Sequence, residues 1–148
     1  KQTKKKYAAK RLKKDFHPGE EEETLFINEV NTLMSLDNPT ILKIIGYSKS
    51  NFSGDPYITI ILDYMPNGSL YEVLKQIRDN KTPKGWTKTK VYINLLGIAI
   101  GMKYLHSQNT VQRDLKPGNI LLDENYHPQI SDFGFSKKLD EMNSESCI

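Results

Sequence analysis

The sequence predicts an α+β chain with a sheet-rich first part and a helical second part. Two β-rich apolar runs, Ile41 to Tyr47 and Tyr57 to Tyr64, flank the turn signal Ser53-Gly54-Asp55-Pro56 and read as a hairpin. Apolar residues recur with helical spacing at Phe26, Val30 and Leu33 before that hairpin, and at Leu95, Ile98, Ala99, Met102 and Leu105 after it. Two later short runs, Ile120-Leu121-Leu122 and Gln129-Ile130-Ser131, are separated by Asp123-Glu124-Asn125 and Pro128, which reads as a second hairpin.

Each element has a local cause. Tyr7-Ala8-Ala9, leading into Lys10, reads as a short strand, and Asp15 to Glu23, with Pro18 and Gly19, reads as a loop. The helix carrying Phe26, Val30 and Leu33 stops near Asp37-Asn38-Pro39, because a residue before proline disfavours the helical backbone. Pro66-Asn67-Gly68 ends the strand that begins at Tyr57. Ser69-Leu70-Tyr71-Glu72 fits a capping box, in which Ser69 and Glu72 each satisfy a free N–H at a helix start. Asn80 to Gly85 is a loop, Trp86 is a packing residue, and the long helix after it buries the Leu95 to Leu105 stripe.

Composition limits the function classes. The 148 residues are 37% hydrophobic and 26% charged, which suits one domain with its own core. A single cysteine, Cys147, excludes an internal disulfide and a cysteine-based zinc site, and fits a cytoplasmic setting. His17, His106 and His127 match no metal-ligand spacing. The longest apolar stretch, Leu95 to Met102, is far short of the ~20 residues a membrane span needs. Eight of the first 14 residues are Lys or Arg, yet no aromatic run is interleaved with them. They read as a solvated strand edge and loop, not as a nucleic-acid or lipid site.

The chemistry is concentrated in Val111-Gln112-Arg113-Asp114-Leu115-Lys116-Pro117-Gly118-Asn119-Ile120-Leu121-Leu122. This segment resembles the catalytic loop of protein kinases, H-R-D-L-x-x-x-N, with Gln112 at the histidine position. Asp132-Phe133-Gly134 follows Asn119 by thirteen residues and resembles the metal-binding D-F-G motif. Tyr7-Ala8-Ala9-Lys10 resembles V-A-I-K, Glu29 resembles the glutamate of the following helix, and Asp63 to Leu70 resembles the hinge and the helix after it. The resemblance runs over essentially the whole chain and implies a two-lobed kinase-like fold, incomplete at both ends. The small-lobe part would be 1–62, the hinge 63–68 and the large-lobe part 69–148, reaching the activation loop.

The resemblance implies ATP and Mg²⁺ as cofactors, a protein as substrate, and a role for each matching residue. Phosphoryl transfer depends mainly on positioning and charge neutralisation. Lys10 would grip the phosphates, held by Glu29. Asn119 and Asp132 supply the oxygen ligands a divalent metal prefers. Asp114 would orient the attacking hydroxyl and accept its proton, and Lys116 would spread charge on the transferred phosphoryl group. Ala8 and Leu121 would sandwich the adenine ring, Leu62 would be the gatekeeper closing the back pocket, and the backbone of Asp63 and Met65 would meet the adenine edge. Leu33, Ile44, Gln112 and Phe133 would form the packed column between the lobes. Arg113 would pair with a phosphorylated activation loop, for which Ser144 and Ser146 are candidate sites against a reading as ordinary loop serines.

Lys116 in D-L-K-P-x-N is the serine/threonine-kinase pattern, and the stretches Met65 to Leu70 and Ile130 to Ser136 resemble the tyrosine-kinase-like group. The Gly-rich loop, the A-P-E motif and the helices that follow it have no counterpart in the 148 residues. The chain therefore reads as a kinase fragment with little or no activity alone. The alternative is a pseudokinase acting as a nucleotide-binding scaffold, supported by Gln112 and the missing Gly-rich loop.

Overall fold

β-Branched and aromatic residues recur where the backbone is extended, as side-chain packing on a pleated surface favours. In the computed structural model, which describes residues 5–11, 27, 30, 31, 33–49, 58–132 and 137–138, the strands are Tyr7–Arg11 (β1), Ile44–Ser48 (β2) and Thr59–Asp63 (β3). They form an antiparallel sheet in the order β1-β3-β2. Ala8 faces Leu62, Lys10 faces Ile60, and Ile44 faces Leu62 from the other side. The expected hairpin pairing is thus present, although its turn, 50–57, lies outside the described residues. β2 starts at Ile44, not Ile41, and a register shift between Ile44 and Gly46 interrupts its ladder.

This sheet belongs to one of two compact units, Lys1–Asp37 with Lys43–Tyr64. In the same unit Ile27, Val30, Asn31, Leu33 and Met34 are helical, and the helix ends before Pro39 as expected. Phe26 and Glu29 lie outside the described residues. Among the described residues of this unit, Val30, Leu33, Leu36, Ile44 and Ile58 are the buried apolar ones. β1 is an exposed edge strand, and the lysines leading into it are engaged. Lys5 pairs with Asp63 at 2.9 Å, and Lys6 lies 5.9 Å from the centre of the Tyr64 ring.

The second unit comprises Asn38–Leu42 and Met65–Ile148. Its first helix, Leu70–Arg78 (α1), starts with the expected capping box: the Glu72 N–H donates to Ser69 Oγ, and the Ser69 N–H donates to Glu72 Oε2 at 2.8 Å. Gly68 precedes it at φ 65, a left-handed backbone that glycine adopts without steric penalty. The long helix Lys88–Ser107 (α2) is followed by β4 (Thr110–Val111), a 3₁₀ turn (Pro117–Asn119), β5 (Ile120–Leu122), β6 (Pro128–Ile130) and β7 (Lys137–Lys138). β5 and β6 pair antiparallel with Ile120 opposite Ile130, and β4 pairs with β7.

One expectation about α2 fails. Leu95 is 62% exposed and Ala99 is exposed, while Asn94, Gly97, Gly101 and Leu105 form the buried line, with Ile98 and Met102 half-buried. The helix is apolar on nearly every side, so periodicity does not choose a face. Close approach chooses it. A Cβ on Gly97 would lie 2.5 Å from Pro128 Cγ, and one on Gly101 would lie 2.7 Å from Ile130 Cδ1. Two glycines one turn apart let α2 lie directly on β6. Farther along, Asn94 Nδ2 donates to the Tyr126 carbonyl at 3.0 Å, and Trp86 meets the Tyr126 ring edge-on at 5.5 Å.

A second feature had no sequence signal. The Asn38–Leu42 segment pairs along β6: the Leu42 N–H donates to the Ile130 carbonyl at 2.9 Å, and the Ile130 N–H donates to the Thr40 carbonyl at 2.8 Å. Asn38 Oδ1 accepts from both the N–H and the hydroxyl of Thr40 and holds this segment in shape. β6 is therefore flanked by β5 on one side and residues 40–42 on the other.

The α2–β6 approach yields a prediction. Gly97→Ala gains about 1 kcal/mol of helix propensity but drives a methyl group into the rigid Pro128 ring, an overpacking penalty of about 1–3 kcal/mol. A lower urea midpoint is expected. A raised midpoint would show that Pro128 gives way freely.

Candidate active site

The segment after α2 is shaped by its backbone before any side chain acts. The Gln108 N–H closes the helix on Tyr104 and Leu105, and Asn109 at φ 53 turns the chain into β4. Beyond β4 the chain carries Gln112, Arg113 and Asp114, and the 3₁₀ turn then returns it to β5. The Asn119 N–H donates to the Lys116 carbonyl at 2.9 Å and closes that turn. Pro117 suits the first position of such a turn, since its absent N–H would have no partner there.

This turn gathers three expected site residues. Lys116 Nζ lies 2.5 Å from Asp114 Oδ2. Asn119 Nδ2 donates to the same Oδ2 at 3.0 Å and to the Asp114 carbonyl at 2.8 Å. Asp114 Oδ1 has no partner among the described residues. The bond from Lys116 holds the Asp114 carboxyl below its ordinary pKa; partial burial opposes this, and the bond from Asn119 adds to it. The carboxylate is therefore ionised, with one oxygen anchored and one open.

Asp132 follows β6. Its backbone is left-handed at φ 58, and its carbonyl accepts from Gln112 Nε2 at 3.0 Å. Asn119 is buried, and its amide nitrogen is committed to Asp114, which leaves Oδ1 as the side-chain atom for a ligand. Asn119 Oδ1 and the Asp132 carboxylate are hard oxygen donors of the kind Mg²⁺ takes, so the residues present fit that ion.

The adenine candidates fall in both units. In the first, Ala8 and Leu62 are direct cross-strand partners and so share one face of the sheet, with Lys10 two residues along β1 on that face. The Asp63 N–H is used by the Lys43 carbonyl at 3.2 Å. In the second unit the Met65 carbonyl accepts from Gly68, while the Met65 N–H has no backbone acceptor among the described residues. Leu121 sits in β5, bridged to Ser69. Glu29, Phe133, Ser144 and Ser146 lie outside the described residues, and Arg113 is exposed. His127 has a local role: its N–H and Nδ1 both lie against the Asp123 carboxylate in the β5–β6 turn.

Sequence reasoning missed Ser131. Its N–H and hydroxyl both donate to the Asn119 carbonyl, at 2.8 and 2.9 Å. A serine beside a motif carries no signal of such a role.

A protein kinase domain model matches residues 1–147. The chain belongs to the protein kinase domain family. Among curated kinases, the probable serine/threonine-protein kinase PBL5 of Arabidopsis thaliana is 40% identical over 116 residues, covering 76% of this chain and 26% of that protein. PBL22 of the same plant is 37% identical over 134 residues, covering 88% of this chain and 32% of that protein. The tyrosine-protein kinase receptor TYRO3 of Gallus gallus is 35% identical over 136 residues, covering 90% of this chain and 16% of the receptor. The chain thus spans about a third or less of each of these kinases. Among the described residues no helix is long and apolar enough to cross a membrane.

The geometry assigns the cause of the Asp114 shift, which can be checked. Lys116→Met should raise the Asp114 carboxyl pKa toward its ordinary value, as read by carboxyl NMR titration. Because the folded-state pKa is depressed, the pair's contribution to stability is complete above the unfolded carboxyl pKa. It is lost as pH falls through the folded value, and Lys116→Met should lack it. An unmoved titration would remove Lys116 as the cause.

Proposed function

We propose that the protein is an ATP-dependent kinase that phosphorylates serine and threonine hydroxyls of protein substrates, and that it acts in the cytoplasm. The observation that carries this reading is the Asp114 carboxylate, ionised, with Oδ2 held by Lys116 and Asn119 and Oδ1 without a partner among the described residues. In the reaction, the substrate hydroxyl oxygen forms a bond to the γ-phosphorus. The bond from that phosphorus to the β–γ bridging oxygen breaks, ADP leaves, and the hydroxyl proton passes to Asp114 Oδ1. Lys116, beside the carboxylate, faces the negative charge that spreads over the transferred group.

Asn119 and Asp132 would hold Mg²⁺, which when bound neutralises the phosphate oxygens. Lys10 would take the phosphates, and Glu29 would orient Lys10. Ala8, Leu62 and Leu121 would supply the apolar surface for the adenine, and the backbone of Asp63 and Met65 its polar edge. The Met65 N–H, without a backbone acceptor among the described residues, suits that role. Lys116 in the Asp114 to Asn119 turn and the plant relatives favour serine and threonine over tyrosine.

The test is phosphotransfer from ATP to matched Ser/Thr and Tyr peptides by the full-length protein. Asp114→Asn should lower kcat by about 10²–10⁴-fold, and Lys10→Met should weaken use of ATP. Transfer to the Ser/Thr peptide that survives Asp114→Asn would overturn the assignment of the base. Preference for the Tyr peptide would overturn the substrate class.

A further inference from the structure

Gln112 stands where the motif has an imidazole, and it makes more hydrogen bonds than an imidazole can. It is 5% exposed. Its amide nitrogen donates to the Ser131 carbonyl at 2.9 Å and to the Asp132 carbonyl at 3.0 Å, while Oε1 accepts from the Asp114 N–H at 3.0 Å. Two donors and one acceptor are in use. A neutral imidazole offers one N–H and one lone pair, and an imidazolium offers two N–H groups and no acceptor. Neither form satisfies all three partners.

These bonds close a circuit. Ser131 donates its N–H and its hydroxyl to the Asn119 carbonyl, Asn119 Nδ2 donates to Asp114, and the Asp114 N–H returns to Gln112. The circuit joins stretches that are distant in sequence and touches the carboxylate of Asp114 and the backbone carbonyl of Asp132. It fixes the backbone of Asp114. It also grips the carbonyl of Asp132, whose left-handed backbone a non-glycine residue adopts only when its surroundings hold it there.

We infer that Gln112 is a positioning residue: its primary amide locks Asp114 and Asp132 into one hydrogen-bonded frame, and in this chain the motif histidine is not an adequate replacement. The catalytic consequence rests on the kinase reading above; the circuit itself does not.

The experiment compares wild type, Gln112→Leu and Gln112→His in the full-length protein. It reads hydrogen exchange at the Asp114 amide, the unfolding midpoint, and kcat and KM with a Ser/Thr peptide. Gln112→Leu should speed Asp114 exchange at least about tenfold, because the side-chain acceptor of that amide is gone. Both variants should lose about 10–100-fold in kcat with peptide KM within about twofold, as small misplacements of catalytic groups do. Unchanged Asp114 exchange in Gln112→Leu, or full kcat in Gln112→His, overturns the inference. A purely packing role would lower the unfolding midpoint while leaving kcat and exchange of the folded protein intact, and that result also overturns it. If Gln112→Leu does not fold, kcat of Gln112→His decides. If wild type shows no transfer that depends on Asp114, the kinase reading fails and Asp114 exchange alone decides the circuit.

Discussion

The second unit's site depends on how completely one buried side chain and its peptide groups are used. The Asn119 N–H closes the 3₁₀ turn on Lys116, its amide nitrogen holds the carbonyl and carboxylate of Asp114, and its carbonyl takes two bonds from Ser131. Buried polar groups are costly unless paired, so each bond constrains the others. An aspartate two residues from a lysine would otherwise be an ordinary mobile surface pair worth little. Anchored in this way, Asp114 presents one oxygen in a fixed direction, as its proposed role of proton acceptor requires.

That arrangement stands on the packing beneath it. Ser131 comes directly after β6, and β6 is placed by α2 through Gly97 and Gly101. Leu105, 0% exposed, lies one turn past Gly101 on the same helix line, just before the chain turns into β4 and the Gln112 segment. The two sides of the hydrogen-bonded frame thus leave one helix–hairpin layer: Gln112 from the end of α2, and Asn119 and Ser131 from the ends of β5 and β6. A change of spacing between helix and hairpin would reach Asp114 without touching it.

The sequence revealed these parts unequally. The capping box at Ser69 and Glu72 and the β2–β3 pairing were legible because their signals are local: a hydroxyl and a carboxylate three residues apart, and β-rich runs around a turn. The family resemblance of the Val111 to Leu122 segment was legible because it rests on particular residue types at fixed spacing, and a protein kinase domain model matches the chain across it. The buried face of α2 was not. Its contact line is made of Gly97, Gly101 and Asn94, which a hydrophobicity pattern passes over in favour of Leu95 and Ala99. Residues 40–42 and Ser131 were missed for another reason: they act largely through main-chain groups, which every residue type carries.

The attachment of residues 40–42 to Ile130 also makes the second unit discontinuous in sequence. A polypeptide cut to start at Met65 would keep α1, α2 and both strands of the β5–β6 hairpin. It would nonetheless lose the partners of the Ile130 N–H and C=O. Those groups would become a bare strand edge, beside apolar side chains that normally sit in the core. Such edges recruit strands from neighbouring molecules, so trimming at the apparent boundary exposes the molecule to self-association. A five-residue excursion from earlier in the chain serves as the hairpin's edge guard.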